Sequence, residues 1–353
     1  MTIHQITRNQ ILSATAVLML LTIPSTAQPK QTVKHGFARV SNAKIYYEIV
    51  GEGEPLILIH GGNMDRRMWD EQFAAFAKTY KVIRYDVRGF GKSDRQVKAF
   101  AHYQDLHNLM KFVGIKKANI MGLSLGGGIA ADFAITHPEM VQNLILVCPG
   151  INGFTISSDG GAYSIATIEA ARDEGYAKAT EMWLRSPYMI PAMEHPELRG
   201  KLRQLSLDNA HNWLANFVWS RDLKPSTRER LSAIKARTLL IVGDRDVPNM
   251  LKLVDEAAAK IPGARKVVIN GVGHLPNMER PAEFNKLLLD FWRTGNEDYR
   301  KTRPTNHFQP SPASLPLMFV DQATCTCFSP LILGSLGCTE KRVSLAQRKA
   351  GLI

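Results

Sequence analysis

Cysteine is scarce: four in 353 residues, at Cys148, Cys325, Cys327 and Cys338. Three of these lie beyond the stretch that reads as a domain, which excludes a disulfide framework. Cys325 and Cys327 are also one residue too close for a C-x-x-C motif. Cys148 ends an apolar run and reads as a buried thiol. A dense basic block is also lacking. The formal net charge is +12, but Lys and Arg are scattered among Asp and Glu without an interleaved aromatic stripe. That argues against a nucleic-acid surface and for a solvated basic one. The apolar stretch Ile11–Ile23 falls short of the ~20 residues a membrane span needs. Arg8 precedes it, and Ser25-Thr26-Ala27 supplies small residues before Gln28. This is the layout of a cleaved secretory signal over residues 1–27, with no lipid-attachment cysteine beside it. The expectation is export to the periplasm or medium, with no stable membrane insertion after cleavage.

What is present is ordinary for a globular chain, 45% hydrophobic and 22% charged. Two alternating stretches, Phe37–Val40 and Ala43–Val50, flank Ser41-Asn42 and read as a hairpin. Continuous apolar runs follow at Pro55–His60, Lys81–Val87, Ala118–Leu123, Asn143–Pro149, Thr238–Asp244 and Lys266–Gly271. Short Ile/Leu/Val runs bounded by turn residues predict strands buried on both faces, as in a parallel sheet sandwiched by helices. Helical periodicity lies between them, at Asp70–Lys78, Tyr103–Val113, Gly127–Thr136, Leu251–Lys260 and Pro281–Trp292. The alternation predicts an α/β, doubly wound fold.

The rhythm breaks once. Residues 151–235 carry helical patterns, at Thr167–Ser186, His195–Leu207 and Asp208–Phe217, and no clear strand. They read as a helical cap inserted between two core segments, 28–150 and 236–293. The cap is rich in Met and aromatic residues, among them Met182, Trp183, Tyr188, Met189, Met193, Trp213, Phe217 and Trp219. Most of these are expected to pack the cap on the core. Trp183 and Trp213 are candidates for an apolar substrate pocket. Residues 294–353 show turn punctuation without periodicity and read as a poorly ordered extension.

Within Asn119–Ala130 (NIMGLSLGGGIA), Ser124 sits between Gly122 and Gly126. Alone, G-x-S-x-G is a weak signal. Here a predicted strand precedes it and a small-residue helix follows, the setting of a nucleophile elbow. A serine on so sharp a corner needs neighbours without side chains, so that the helix can pack close. A hydroxyl is a poor nucleophile without a base. Among ten histidines His274 stands out, in a loop after the last predicted strand. His60 reads as loop scaffolding. His102, His107, His137, His195 and His211 read as surface or packing residues. The imidazole needs an acid to orient it. Asp244 and Asp246 both follow a strand, and Asp246, further into the loop, is the choice. Two backbone donors should hold an oxyanion. Leu125, directly after the nucleophile, supplies one; Gly62 in His60–Asn63 is chosen as the other, with Asn63 the alternative donor and a candidate substrate contact. No metal or organic cofactor is required.

These pieces resemble a serine α/β-hydrolase of the esterase/lactonase kind: HGGN (His60–Asn63) with Trp69, RYDVRGFGKSD (Arg84–Asp94), GLSLGG (Gly122–Gly127), GDRD (Gly243–Asp246) and GVGHLPNMERP (Gly271–Pro281). They come in family order across most of Lys34 to Arg293. Through MWDEQ (Met68–Gln72) and RYDVRG the chain particularly resembles 3-oxoadipate enol-lactonases. The resemblance implies an eight-stranded, mostly parallel sheet with a cap, and a structural role for Asp86, Arg88 and Gly89. It implies hydrolysis of a small-molecule ester or lactone. Serine at the elbow argues against the dehalogenase and epoxide hydrolase chemistries, which use a carboxylate there. Carbon–carbon bond hydrolases share the triad, but resemble sequences with a longer glycine run that Asn63 interrupts. Perhydrolysis on the same triad, and a slow-turnover sensor of this fold, stand as alternatives.

Overall fold

The computed structural model describes residues 32–95, 97–154, 158–215 and 220–293. The leader expected over 1–27, the extension over 294–353, and Phe217 and Trp219 lie outside them, as do Cys325, Cys327 and Cys338.

One eight-stranded sheet organises the chain. Its strands are β1 (Lys34–Val40), β2 (Ala43–Val50), β3 (Pro55–Ile59), β4 (Lys81–Tyr85), β5 (Ala118–Leu123), β6 (Val141–Val147), β7 (Arg237–Gly243) and β8 (Arg265–Ile269). The spatial order is β1-β2-β4-β3-β5-β6-β7-β8. Only β2 runs antiparallel to its neighbours; β4 through β8 pair in parallel. The β1–β2 hairpin turns at Ser41, whose φ of 47° is the left-handed conformation such turns require. Strands β5 and β7 are buried almost throughout because helices cover both faces.

The core helices are α1 (Asp70–Phe76), α2 (His102–Phe112) and α3 (Leu125–Thr136). Helix α2 buries one face, Leu106, Leu109 and Met110, at helical spacing. Each such side chain contributes about 1.5–3 kcal/mol of burial. Buried polar groups anchor the turn after β4. Arg88 grips Asp105 of α2 through two bonds of 2.7 Å. Asp86 accepts from the Arg66 guanidinium at 3.0 Å.

Between β6 and β7 the described residues form helices: α4 (Ser158–Asp173), α5 (Tyr176–Leu184), α6 (Ile190–Met193), α7 (Pro196–Asp208) and the 3-10 turns Ala210–Leu214 and Arg228–Ala233. The periodicity over Thr167–Ser186 predicts one helix; the structure splits it. Gly175 takes φ 93°, a left-handed residue that stops one helix and starts the next. The segment after Asp208 forms a short 3-10 turn instead of a full helix, because the Asn209 side chain turns back to the Leu205 carbonyl at 2.9 Å. Polar links tie this layer to the core: Asn209 Nδ2 donates to Asp65 at 3.0 Å, and Arg67 pairs with Asp208 at 2.7 Å.

The chain then completes the core with α8 (Pro248–Lys260), α9 (Pro276–Glu279) and α10 (Pro281–Arg293). Among the described residues no helix is long and apolar enough to cross a membrane.

Candidate active site

Ser124 is the single residue between β5 and α3, with φ 52° and ψ −115°. A side chain rarely tolerates that conformation, and the surroundings hold it there. The Ser124 N–H donates to Val147 O at 3.0 Å, and Ser124 O accepts from Gly128 and Gly150. The corner has no room for side chains. A methyl on Gly122 would stand 2.0 Å from Gly126 O, and one on Gly126 would stand 2.2 Å from Ile59 O. Glycine at 122 and 126 is therefore a packing requirement of the elbow.

Leu125 opens α3, so its N–H has no acceptor within the helix and lies at the positive end of the dipole. The loop after β3 runs alongside: a methyl on Gly61 would approach the Ser124 Cβ to 3.6 Å. One on Gly62 would meet nothing within 4 Å, and Asn63 holds φ 54°. Gly62, Asn63, Ser124 and Leu125 all line one cavity of about 410 Å³. His60 braces this loop. Its Nδ1 is 2.8 Å from Gly61 O, and its Nε2 accepts the Val87 N–H at 2.8 Å. Burial pushes the His60 pKa down, so the ring is a neutral strut.

His274 lies in the loop between β8 and α9 and lines the same cavity. Its Nδ1 is 2.8 Å from Asp246 Oδ2, and both residues are buried. A carboxylate partner there places the proton on Nδ1 and leaves the Nε2 lone pair for the cavity. Asp246 Oδ1 accepts the Val247 N–H at 2.7 Å. Asp244 is engaged elsewhere, accepting from Gly271 N at 2.6 Å. Buried Glu279 accepts the N–H groups on either side of the histidine, Gly273 at 2.8 Å and Leu275 at 3.0 Å. Burial raises the Glu279 pKa. Cys148, buried and at φ 41°, brings its sulfur into a cluster with Asp246 and His274. Burial and the Asp246 charge hold its thiol protonated.

The cap supplies the aromatic wall. Trp213 packs edge-on to Trp183 at 5.3 Å between centroids, Trp183 stacks on Tyr188 at 6.0 Å, and Tyr188 meets His274 edge-on at 5.1 Å. Trp183, Tyr188 and Trp213 all line the cavity. Three wall residues were not singled out by sequence. Tyr188 is in sequence one cap aromatic among several, yet its ring packs edge-on against the candidate base. His102, read as a surface or packing residue, stands in the cavity wall, with burial lowering its pKa to about 3. Asp132 is also in the wall, with burial raising its pKa to about 7. Two turns of α3 separate it from Ser124, and no local motif marks it.

The arrangement offers a hydroxyl on a strained corner, an imidazole with an oriented lone pair and backbone donors from two segments. These are the parts of nucleophilic acyl transfer.

Residues 56–287 match the model of the Alpha/beta hydrolase family. The chain is similar to a 2-hydroxy-6-oxononadienedioate/2-hydroxy-6-oxononatrienedioate hydrolase of Comamonas testosteroni, 31% identical over 273 residues, covering 72% of this chain and 93% of that protein. It is 30% identical, with the same coverage, to a 2-hydroxy-6-oxo-6-phenylhexa-2,4-dienoate hydrolase of Burkholderia cepacia. Among solved structures it resembles an enol-lactonase from Burkholderia xenovorans, with TM-score 0.64, 26% identity, and coverage of 73% of this chain and all of that one. The dienoate hydrolases, set aside in sequence on the interrupted glycine run at Asn63, are thus among the relatives of this chain. With the family model spanning β3 to β8, the elbow and the His274 loop, this protein belongs to the alpha/beta hydrolase family.

Proposed function

We propose that the protein hydrolyses a carboxylic ester or lactone through an acyl-enzyme on Ser124. Ser124 Oγ attacks the carbonyl carbon while His274 Nε2 takes its proton. The N–H groups of Leu125 and Gly62 hold the tetrahedral oxyanion. Collapse breaks the carbon–oxygen bond, and the His274 proton passes to the leaving alkoxide. Water, deprotonated by His274, then attacks the acyl carbon and releases the acid and Ser124. Asp246 keeps the imidazole in the required tautomer and stabilises its cationic form.

One observation favours an ester or lactone over a carbon–carbon bond: the charge of the cavity wall. The substrates in the two relatives' names carry one or two carboxylates. Among the described residues lining this cavity, Arg221 is the one arginine and there is no lysine, against the carboxylates of Asp132 and Asp222. Such a wall disfavours a dianion and suits a neutral or cationic substrate. The second reading, carbon–carbon cleavage on the same triad, is favoured by the relatives themselves.

A panel of p-nitrophenyl esters, simple lactones and a dienoate ring-fission product, assayed on wild type and Ser124→Ala, decides between them. Ester or lactone turnover that disappears in Ser124→Ala supports the proposal. Turnover of the dienoate alone supports the second reading, and very slow turnover of everything supports a sensor. Residues 1–27 are proposed as an export leader on their sequence alone. Mass spectrometry of protein from the periplasm or medium should find a chain starting at Gln28; an intact Met1 would refute that.

A further inference from the structure

The cavity has a second polar region away from the scissile bond. Asp132 lies eight residues after Ser124 on α3, about 12 Å along the helix. It faces the cavity, with Oδ1 accepting the Thr227 hydroxyl. Asp222 lines the cavity too and acts on Asp132 as a like charge, with Arg230 partly offsetting Asp132 and Lys224 partly offsetting Asp222. Arg221 stands beside it, its backbone N–H bonded to Phe100 O at 2.8 Å. The Phe100 ring packs edge-on against His102 at 4.8 Å. A second observation points to a ligand in this cavity. Asn212 is 1% exposed and lines the same cavity; its Nδ2 donates to Gly89 O and Asn209 O, and its Oδ1 has no partner among the described residues. A buried polar atom without a partner costs about 1–3 kcal/mol. His102 Nδ1 is likewise buried and has no partner among the described residues.

Beside Arg221, the indole N–H groups of Trp183 and Trp213 and the neutral amides and hydroxyls of the wall, the cavity carries two carboxylates, an unpartnered amide oxygen and an uncharged imidazole. We infer that Asp132 is a specificity-determining residue that takes the ammonium group at the far end of a substrate whose reacting carbonyl lies at Ser124. This inference rests on the ester or lactone reading for the near end of the substrate. The distance suits a linear chain of medium length, with its methylenes against the apolar and aromatic wall. An ammonium supplies further donors to the Asp132 and Asp222 carboxylates and a positive charge that two neighbouring carboxylates favour.

The test compares ω-aminooctanol with nonanol, matched in length and differing in the terminal group. Calorimetry on the full-length protein should show the amino alcohol binding wild type about tenfold more tightly, with that ratio falling to about one in Asp132→Asn. Asp132→Asn keeps an oxygen for the Thr227 hydroxyl, and a melting curve checks that it folds. Asp222→Asn should reduce the ratio as well. Equal binding of the two alcohols by wild type overturns the inference without reference to any variant. So does an unchanged ratio in a folded Asp132→Asn. The p-nitrophenyl esters of ω-aminooctanoate and nonanoate separate this inference from the hydrolase reading. If the binding preference holds and neither ester is cleaved, the far-end site stands and the ester chemistry falls.

Discussion

His274 Nδ1 is 2.8 Å from Oδ2 of Asp246, whereas Asp244, two residues earlier, accepts the Gly271 N–H at 2.6 Å. The two acids share a loop, and only one touches the imidazole. Asp246→Asn should lower kcat by about 10⁴-fold with KM much less affected, because an amide N–H facing Nδ1 favours the wrong tautomer. Asp244→Asn should keep kcat within the same order of magnitude. Steady-state kinetics on the best ester of the panel checks both, and equal losses in the two variants would refute the assignment.

Ser124 holds a backbone conformation that glycine adopts freely. Ser124→Gly should therefore raise stability by about 1 kcal/mol while abolishing turnover. Ser124→Ala should abolish turnover without that gain, since alanine bears the same strain. Urea denaturation of the three proteins reads the difference. A Ser124→Gly protein no more stable than Ser124→Ala would show that the corner is unstrained.

Glu279 fixes the backbone on both sides of His274 without touching a substrate-facing atom. Glu279→Ala leaves two buried N–H groups unpaired, at about 1–3 kcal/mol each. The loosened imidazole should cost roughly 10²-fold in kcat, since small misplacements of a base are expensive. The telling readout is kcat against KM: a purely structural loss would lower the amount of active enzyme and leave the kcat per active site alone.

Asp132 also has a consequence for stability. Burial raises its folded pKa to about 7, above its unfolded value of 3.8. The folded state thus binds this proton more tightly than the unfolded state. The stability this group permits is greatest below pH 3.8, declines as pH rises between the two values and is gone above about 7. Asp222, whose pKa burial also raises, reinforces the effect, and Arg230 opposes it. Asp132→Asn should melt higher than wild type at pH 8.5, with the gap closing towards pH 4. A gap of constant size across that range would mean that the Asp132 carboxyl titrates normally.

Much of this was readable from the chain, and the exceptions have physical causes. The run Ala118–Leu123 coincides with β5 because a strand covered on both faces leaves an uninterrupted apolar signature. Ser124 stood out because sterics demand glycines around it. The His274 and Asp246 loops were findable because each follows a strand of one parallel sheet. Gly175 was hidden, since one glycine in a periodic stretch can sit inside a helix or end it. Tyr188 and His102 carry no local mark of their role: the first depends on how the cap folds over the core, the second on an α2 terminus that faces inward. Asp132 looks like the polar side of a helix, and only the segment Ser220–Thr227 closing over it makes it part of a wall.

The cap departs after β6 and the chain returns as β7, and those two strands are neighbours in the sheet. The candidate catalytic groups ride on loops of the sheet, while Trp183, Tyr188 and Trp213 ride on the excursion between two adjoining ribbons. A lineage that replaced that excursion would inherit the reaction and change its diet, so kinship in the scaffold tells more about how this enzyme works than about what it eats.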